Sequence, residues 1–350
     1  MSRLRFALRV RAFFVMGLIA VAAMLLAACS GGDDGDLSSG DKTLVVYSGR
    51  EETLVGAAIK AFEEKTGIDV QVRYASTAAI AAQILEEGSN SPADVVFLQD
   101  AGGLGALSKS GRLEALDKAL LDRVDAKYRS SKGDWVGTTG RVRVVVYNKQ
   151  KIVPERDLPK SILEFTDPKW KGKIGWAPTN ASLQAFVTAL RVTKGDGAAR
   201  SWIEGIKANS PKAYPNNTAV VEAVAAGEVE VGFVNHYYLH ALLAQKGPNY
   251  NAANQYYNDD IGGLVNVAGV GILKTADHKS AAGQFVEYLL SGEGQTYFSQ
   301  RTSEFPLVDG VPLPAGVPAI ATLRPPQVDL SRLEDLEATL KMMRDVGVLS

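Results

Sequence analysis

Residues 43–74 read TLVVYSGREETLVGAAIKAFEEKTGIDVQVRY. The apolar run from Thr43 to Tyr47 predicts a strand. Glu51 to Lys65 places its apolar residues at helical spacing and is closed by Gly67, and Ile68 to Tyr74 alternates like a second strand. Downstream, Ala78 to Glu87 is again helical and Ala93 to Leu98 is a short run suited to a buried strand. This βαβαβ rhythm implies an α/β fold with a mainly parallel sheet covered by helices on both faces. The second half repeats the rhythm. It has a strand at Lys173 to Trp176, helices at Ser182 to Val192, Ala198 to Ala208 and Val220 to Ala226, and a strand at Val229 to Asn235 that runs into another helix.

Two long strands bracket that second block, Arg141 to Asn148 (RVRVVVYN) and Gly262 to Leu273. Two such crossings make a hinge between two lobes, with a ligand in the cleft at the carboxyl ends of the strands. The expected boundaries are 43–142 plus about 268–318 for one lobe, and 143–267 plus about 319–350 for the other. Four polar or glycine-containing stretches follow strands and converge on the cleft: Ser48 to Glu51, Gln99 to Gly103, Thr179 to Ser182, and the segment at Tyr237. Convergent loops of this kind argue for a binding site.

The first residues set the compartment. Arg3, Arg5, Arg9 and Arg11 precede an apolar run from Phe13 to Ala28, which is short and ends in small residues, as secretory signals do. Cys29 is the only cysteine in the chain and therefore has no intrachain disulfide partner. Residues 1–28 are expected to be a signal, and 29–42 a flexible tether of Ser, Gly and Asp. The remainder, from a chain with 46% apolar residues and a net charge of −1, can bury a sizeable core. No basic excess points to nucleic acid, so none is expected as a partner.

The segment VEVGFVNHYYLHALL, residues 229–243, carries adjacent tyrosines, Tyr237 and Tyr238. A phenolate oxygen is a hard anionic donor, and two on one turn suit a hard trivalent cation. Tyrosine pairs also occur because the ring packs and the hydroxyl finds a partner. The nucleophile elbow, the phosphate-binding loop, the dinucleotide fingerprint and the zinc-protease helix are all missing from the sequence. His236 and His240 are spaced for a metal pair, although a helix placing both on one face turns them away from Tyr237. His278 lies in a polar turn and is expected to be exposed.

Several stretches together resemble a known family: VVYSGREETLV, SPADVVFLQDAGGLGAL, GRVRVVVYNK, FTDPKWKGKIGWAPTNAS, NNTAVVEAVAAGEVEVGFVNHYYLH and AGVGILKTADHKSAAGQFVEYLLSGEGQTYFS. The family is the ferric-ion-binding substrate-binding proteins of bacterial ABC transporters, within the two-lobed periplasmic binding proteins. The resemblance implies that Tyr237 and Tyr238 bind Fe(III). It places Glu51 where relatives often carry a His or Tyr ligand, so a carboxylate can substitute there, or serve as a plain helix-terminal charge. Gln99 stands where some relatives use Glu. A poor ferric ligand, it is expected to hydrogen-bond a water or anion, and Asp100 to cap the following helix, with metal ligation as its other reading. Thr179, Asn180 and Ser182 form a small polar loop at a helix N-terminus, a natural site for a carbonate or phosphate. Asn217 and Asn235 match anion-holding positions, with capping and turn formation as the other reading. Arg141 and Arg143 resemble an arginine that faces the anion. The segment Leu26 to Cys29 resembles a bacterial lipobox, which implies a diacylated Cys29 as a membrane anchor.

The expected function is therefore capture of Fe(III), with a synergistic carbonate or phosphate, by an exported, lipid-anchored monomer that delivers it to an ABC permease. A polyamine, thiamine, phosphonate or sulfate binder of the same fold is the alternative, in which the tyrosines stack on or hydrogen-bond the ligand. An extracytoplasmic hydrolase is disfavoured by the missing nucleophile motifs. The last segment, LSRLEDLEATLKMMRDVGVL, is an amphipathic helix whose stripe with Met342 and Met343 is expected to pack back on a lobe.

Overall fold

The computed structural model describes residues 42–349, so the signal segment, the tether to Asp41 and Cys29 lie outside the described residues. The opening unit forms as the pattern predicts: β1 (Thr43–Ser48), α1 (Glu52–Thr66), β2 (Asp69–Tyr74), α2 (Thr77–Glu87) and β3 (Val95–Leu98). Helix α1 buries Val55, Ala58, Ile59 and Phe62, one face at i, i+3, i+4 and i+7. It stops where Gly67 adopts φ 71° and returns its N–H to the Glu63 carbonyl at 2.8 Å, a left-handed cap that costs glycine nothing.

Next come α3 (Ala101–Lys109), α4 (Lys118–Leu121), β4 (Val136–Asn148), α5 (Pro154–Asp157) and β5 (Ile174–Trp176). They are followed by α6 (Ala181–Lys194), α7 (Asp196–Ala208), β6 (Lys212–Ala213), α8 (Asn217–Ala226), β7 (Val231–Asn235) and α9 (His236–Lys246). The chain continues with β8 (Ala252–Gln255), β9 (Val265–Ile272), α10 (Lys279–Leu289), α11 (Gly292–Tyr297), β10 (Phe305–Pro306) and α12 (Leu336–Asp345). The sheet order is β2-β1-β3-β9-β4-β7-β5-β6, with β8 and β10 also paired to β4.

The sheet is mixed rather than mainly parallel. Strand β1 is parallel to β2 and β3, and β5 to β6 and β7, but β9 runs antiparallel between β3 and β4, and β4 is antiparallel to β7 and β8. The parallel pairs are those joined through helices, whereas the connecting strands need no crossover helix and can enter in the opposite sense. Strand β4 makes the crossing visible: Val136–Val142 pairs with β9, and Arg143–Asn148 pairs with β7 and β8. The Arg143 N–H donates to the Leu264 carbonyl at 2.9 Å, just before β9 begins, so both crossings meet at one point. The resulting architecture is two-lobed. The first lobe carries β2, β1, β3, β9 and the first half of β4, and the second carries β5 to β8 and the rest of β4.

The start of one strand escaped the pattern, and the helix expected after Asp100 has an unexpected composition. The first residues of β4, Val136–Gly140, contain two glycines that mask a strand. A Cβ at Gly137 would lie 2.5 Å from the Tyr128 carbonyl oxygen, so the backbone approach there admits no side chain. Helix α3 contains Gly102, Gly103 and Gly105, poor helix formers that sit there for packing. A Cβ on Gly102 would meet the Leu333 carbonyl oxygen at 2.9 Å, and one on Gly105 the Glu334 Cα at 3.0 Å.

Those contacts come from the C-terminal segment. The turn Leu330–Glu334 lies on α3 and buries Leu330 and Leu333; α12 then lies along α6 with Met342 and Met343 buried, as its stripe predicts. The hydroxyls of Thr339 and Thr188 meet at 2.8 Å, and Arg191 Nη2 donates to Asp335 Oδ2 at 3.0 Å. This tail therefore touches a helix of each lobe.

Candidate functional site

Helix α9 starts directly at the end of β7, so Tyr237 and Tyr238 fall in its first turn. Free backbone N–H groups and the positive end of the helix dipole favour anionic oxygens there. Both phenols are buried, at 1% and 5% exposure, with ring centroids 4.2 Å apart. Burial pushes the Tyr237 pKa well above its ordinary value, and the neighbouring Tyr238 and the carboxylate of Glu304 add to the rise. Tyr238 is raised as well, first by burial and then by Glu51, while Tyr237, Asn217 and Arg141 oppose the shift. Both rings therefore rest as neutral phenols. Two interlobe cavities flank them: one of ≈ 450 Å³ bounded by Glu51, Gln99, Asn180 and Tyr238, and one of ≈ 660 Å³ bounded by Glu51, Glu222, Tyr237, Tyr238 and Arg301.

Glu51 is exposed at the head of α1, makes no cap hydrogen bond, and lines both cavities beside Tyr238. Gln99 does not stand free: its Nε2 donates to the Tyr237 hydroxyl oxygen at 2.8 Å. Asp100 caps α3 through the N–H groups of Gly102 and Gly103, as expected. Its burial raises its pKa against the opposing pull of Arg141 and those two amides.

Strand alternation puts Arg141 and Arg143 on one face of β4. Both are at most 2% exposed. Among the described residues, Arg141 Nε, Nη1 and Nη2 and Arg143 Nε and Nη1 have no hydrogen-bond partner; Arg143 Nη2 alone donates, to the Phe233 carbonyl at 3.0 Å. Burial lowers both pKa values, Arg143 to about 9. Leaving an ion buried and unpaired costs several kcal/mol. Asn235 is the ladder partner of Arg143 and its Nδ2 is likewise unpartnered.

The loop at α6 assembles as one cluster. Asn180 caps the helix through Oδ1 to the Ser182 N–H at 3.0 Å, and Asn217 Nδ2 donates to the same oxygen at 3.2 Å. The cap of α8 is Asn216, so the buried Asn217 is free of that duty, and its Oδ1 has no partner among the described residues. Thr179 is exposed on the rim of the smaller cavity. The structure thus joins Gln99 to Tyr237 by a hydrogen bond and Tyr237 to Tyr238 by ring packing. It sets Asn180, Ser182 and Asn217 in a second group, and Arg143 and Asn235 in a third.

Two of the three histidines are engaged. His236 Nδ1 accepts from the Val142 N–H at 3.3 Å, which leaves the proton on Nε2 to donate to the Ser303 carbonyl at 2.9 Å, and its ring stacks on Phe305. With both nitrogens used, it has no lone pair for a metal, and no His236–His240 pair forms. His278 is not simply exposed: its Nδ1 lies 3.0 Å from Oδ2 of the buried Asp94. Among the described residues no three His, Cys, Asp or Glu side chains cluster to hold a metal, so a centre here depends on phenol oxygens. Sequence reading also missed the ion pair Arg50–Glu304 beside the first loop, 2.6 Å and fully buried. Residues so far apart in the chain leave no local signal.

Burial lowers the His236 pKa from 6.5 to about 3. The unfolded imidazole takes up a proton near 6.5, whereas the folded one resists until about 3, so acid favours the unfolded chain. The expected loss of stability begins as pH falls through 6.5, grows by up to about 1.4 kcal/mol per unit, and is complete near 3. Denaturant unfolding of wild type and His236→Asn across this window reads it: the variant should have the shallower slope, most clearly above the carboxylate range, and equal slopes would refute the assignment.

Residues 57–324 match the family described as bacterial extracellular solute-binding protein. The chain is 35% identical over 309 residues to the major ferric iron-binding protein of Neisseria meningitidis, covering 87% of this chain and 93% of that one. It is 32% identical over 315 residues to the Fe(3+)-binding periplasmic protein of Serratia marcescens, covering 89% and 92%. Among solved structures, iron-bound HitA from Pseudomonas aeruginosa superposes with a TM-score of 0.83 at 37% identity, covering 87% of this chain and 99% of that one.

Proposed function

The chain belongs to the bacterial extracellular solute-binding protein family, and from that premise we propose that it is an exported binding protein that captures ferric iron on Tyr237 and Tyr238 and hands it to an ABC permease. The observation that carries this reading is the pair of buried phenols in the first turn of α9, in a chain whose relatives are named for ferric iron.

Fe(III) displaces the phenol protons and binds two hard oxygens. Glu51, at the edge of both cavities, is positioned to supply a carboxylate on closure. Two phenolates leave the metal with a positive charge, and Arg141 and Arg143 add two more. That excess favours an exogenous carbonate or phosphate, held by the guanidiniums with Asn180, Ser182, Asn217, Asn235 and Thr179, and loss of the anion opens the coordination sphere for release. The lobe boundaries 43–142 with about 268–318 and 143–267 with about 319–350, monomeric action, and anchoring through a diacylated Cys29 belong to the same proposal.

Titration with ferric nitrilotriacetate tests it. The expected result is a visible phenolate-to-iron charge-transfer band saturating at one iron per chain, and a protein that stays colourless sinks the reading. Because both phenols hold their protons at neutral pH, two protons leave per iron. Affinity should then fall by ~100-fold for each unit of acidification. Competition against a chelator of known proton affinity, between roughly pH 8 and 6, checks this, and a pH-independent affinity contradicts it.

A further inference from the structure

We propose that Gln99 is a positioning residue for the metal site, donating a hydrogen bond from the first lobe to the Tyr237 oxygen in the second, rather than a contact to the anion. The inference rests on the reading of the tyrosine pair as the ferric site and adds to it the group that aims one of the two donors.

Gln99 follows β3 and is 6% exposed. Its own backbone is pinned, because its N–H donates to Thr77 Oγ1 at 3.3 Å and that hydroxyl donates in turn to the Gly49 carbonyl at 3.3 Å. From this fixed base Nε2 reaches the Tyr237 oxygen at 2.8 Å, across the cleft. Among the described residues, no other hydrogen bond reaches the Tyr237 hydroxyl from the first lobe.

The chemistry of the pair is directional. An amide N–H can only donate, so it occupies one lone pair of the phenol oxygen and leaves the others turned toward the cavity. When the metal displaces the phenol proton, that donation becomes charge-assisted and strengthens. A carboxylate at this position would act in the opposite sense, accepting the phenol proton and holding it against the metal. Gln99 therefore orients Tyr237 without competing for its proton. It also ties the lobes at the point where the cargo sits, so lobe opening and loss of this donation occur together.

Gln99→Met keeps the side-chain volume and removes the donor. A phenolate that loses a hydrogen bond becomes a stronger electron donor, so the charge-transfer maximum of the iron-loaded variant should move to longer wavelength. Iron release to excess chelator should be about 10- to 100-fold faster, the worth of one hydrogen bond to a charged group. Faster release with an unmoved band would reduce Gln99 to packing and overturn the proposal, as would an unchanged release rate. A wild-type protein without any band would instead overturn the reading of the tyrosine pair itself. Gln99→Leu, read in the same two ways, stands in if the methionine variant does not fold.

Discussion

Tyr237→Phe should fold normally and fail to hold iron. The ring is 1% exposed and packed on Tyr238, and phenylalanine keeps that packing. What disappears is one oxygen. The metal then has a single phenolate in its strongest donor pair, and the Gln99 amide loses its acceptor. Removal of groups that merely support metal ligands costs 10–100-fold in affinity, so losing a ligand should weaken iron binding by more than ~100-fold. In competition with citrate the variant should remain colourless where wild type is coloured. Its stability should shift by no more than the cost of one unpaired buried amide, about 1–3 kcal/mol. Wild-type iron binding in this variant would remove Tyr237 from the site.

The second large effect lies beneath the first loop. Glu304 accepts from Arg50 Nη2 at 2.6 Å, from Thr139 Oγ1 at 3.0 Å and from Thr302 Oγ1 at 2.9 Å, all buried. The Arg50 guanidinium also lies against Phe97 and Phe298, 5.3 and 5.4 Å from the ring centroids. Glu304→Ala leaves this cation buried without its counter-charge, and breaking such a pair costs about 3–5 kcal/mol. The double variant Arg50→Met, Glu304→Leu should recover much of that loss, since well-packed apolar residues can replace a buried pair at little cost. Denaturant unfolding of both distinguishes the cases. A single variant within 1 kcal/mol of wild type, by the same standard, would mean that the pair is not coupled as described.

How far these features could be read in advance depends on their range along the chain. Helix α1 and strand β2 follow from local periodicity, and observed and expected bounds differ by a residue or so. The placement of Tyr237 at a strand end, and of Arg141 and Arg143 on one face, rests equally on local spacing. The helix after Asp100 was expected, but its glycines were not explained, because Gly102 and Gly105 answer to Leu333 and Glu334, more than 200 positions away. The antiparallel entry of β9 and the Arg50–Glu304 pair are likewise products of chain return, which no window of sequence contains. His278 was misjudged for the same reason: its partner Asp94 belongs to another segment. The hydrogen bond from Gln99 to Tyr237 was equally out of local reach, because the two residues lie 138 positions apart.

The tail that joins α3 to α6 also bears on biosynthesis. A chain is made from its N-terminus, yet Gly102 and Gly105 of α3 are covered by Leu333 and Glu334, and Met343 is buried where α12 lies along α6. The part of the core that α3 and α6 share with this tail therefore forms only when residues far along the chain return to both helices.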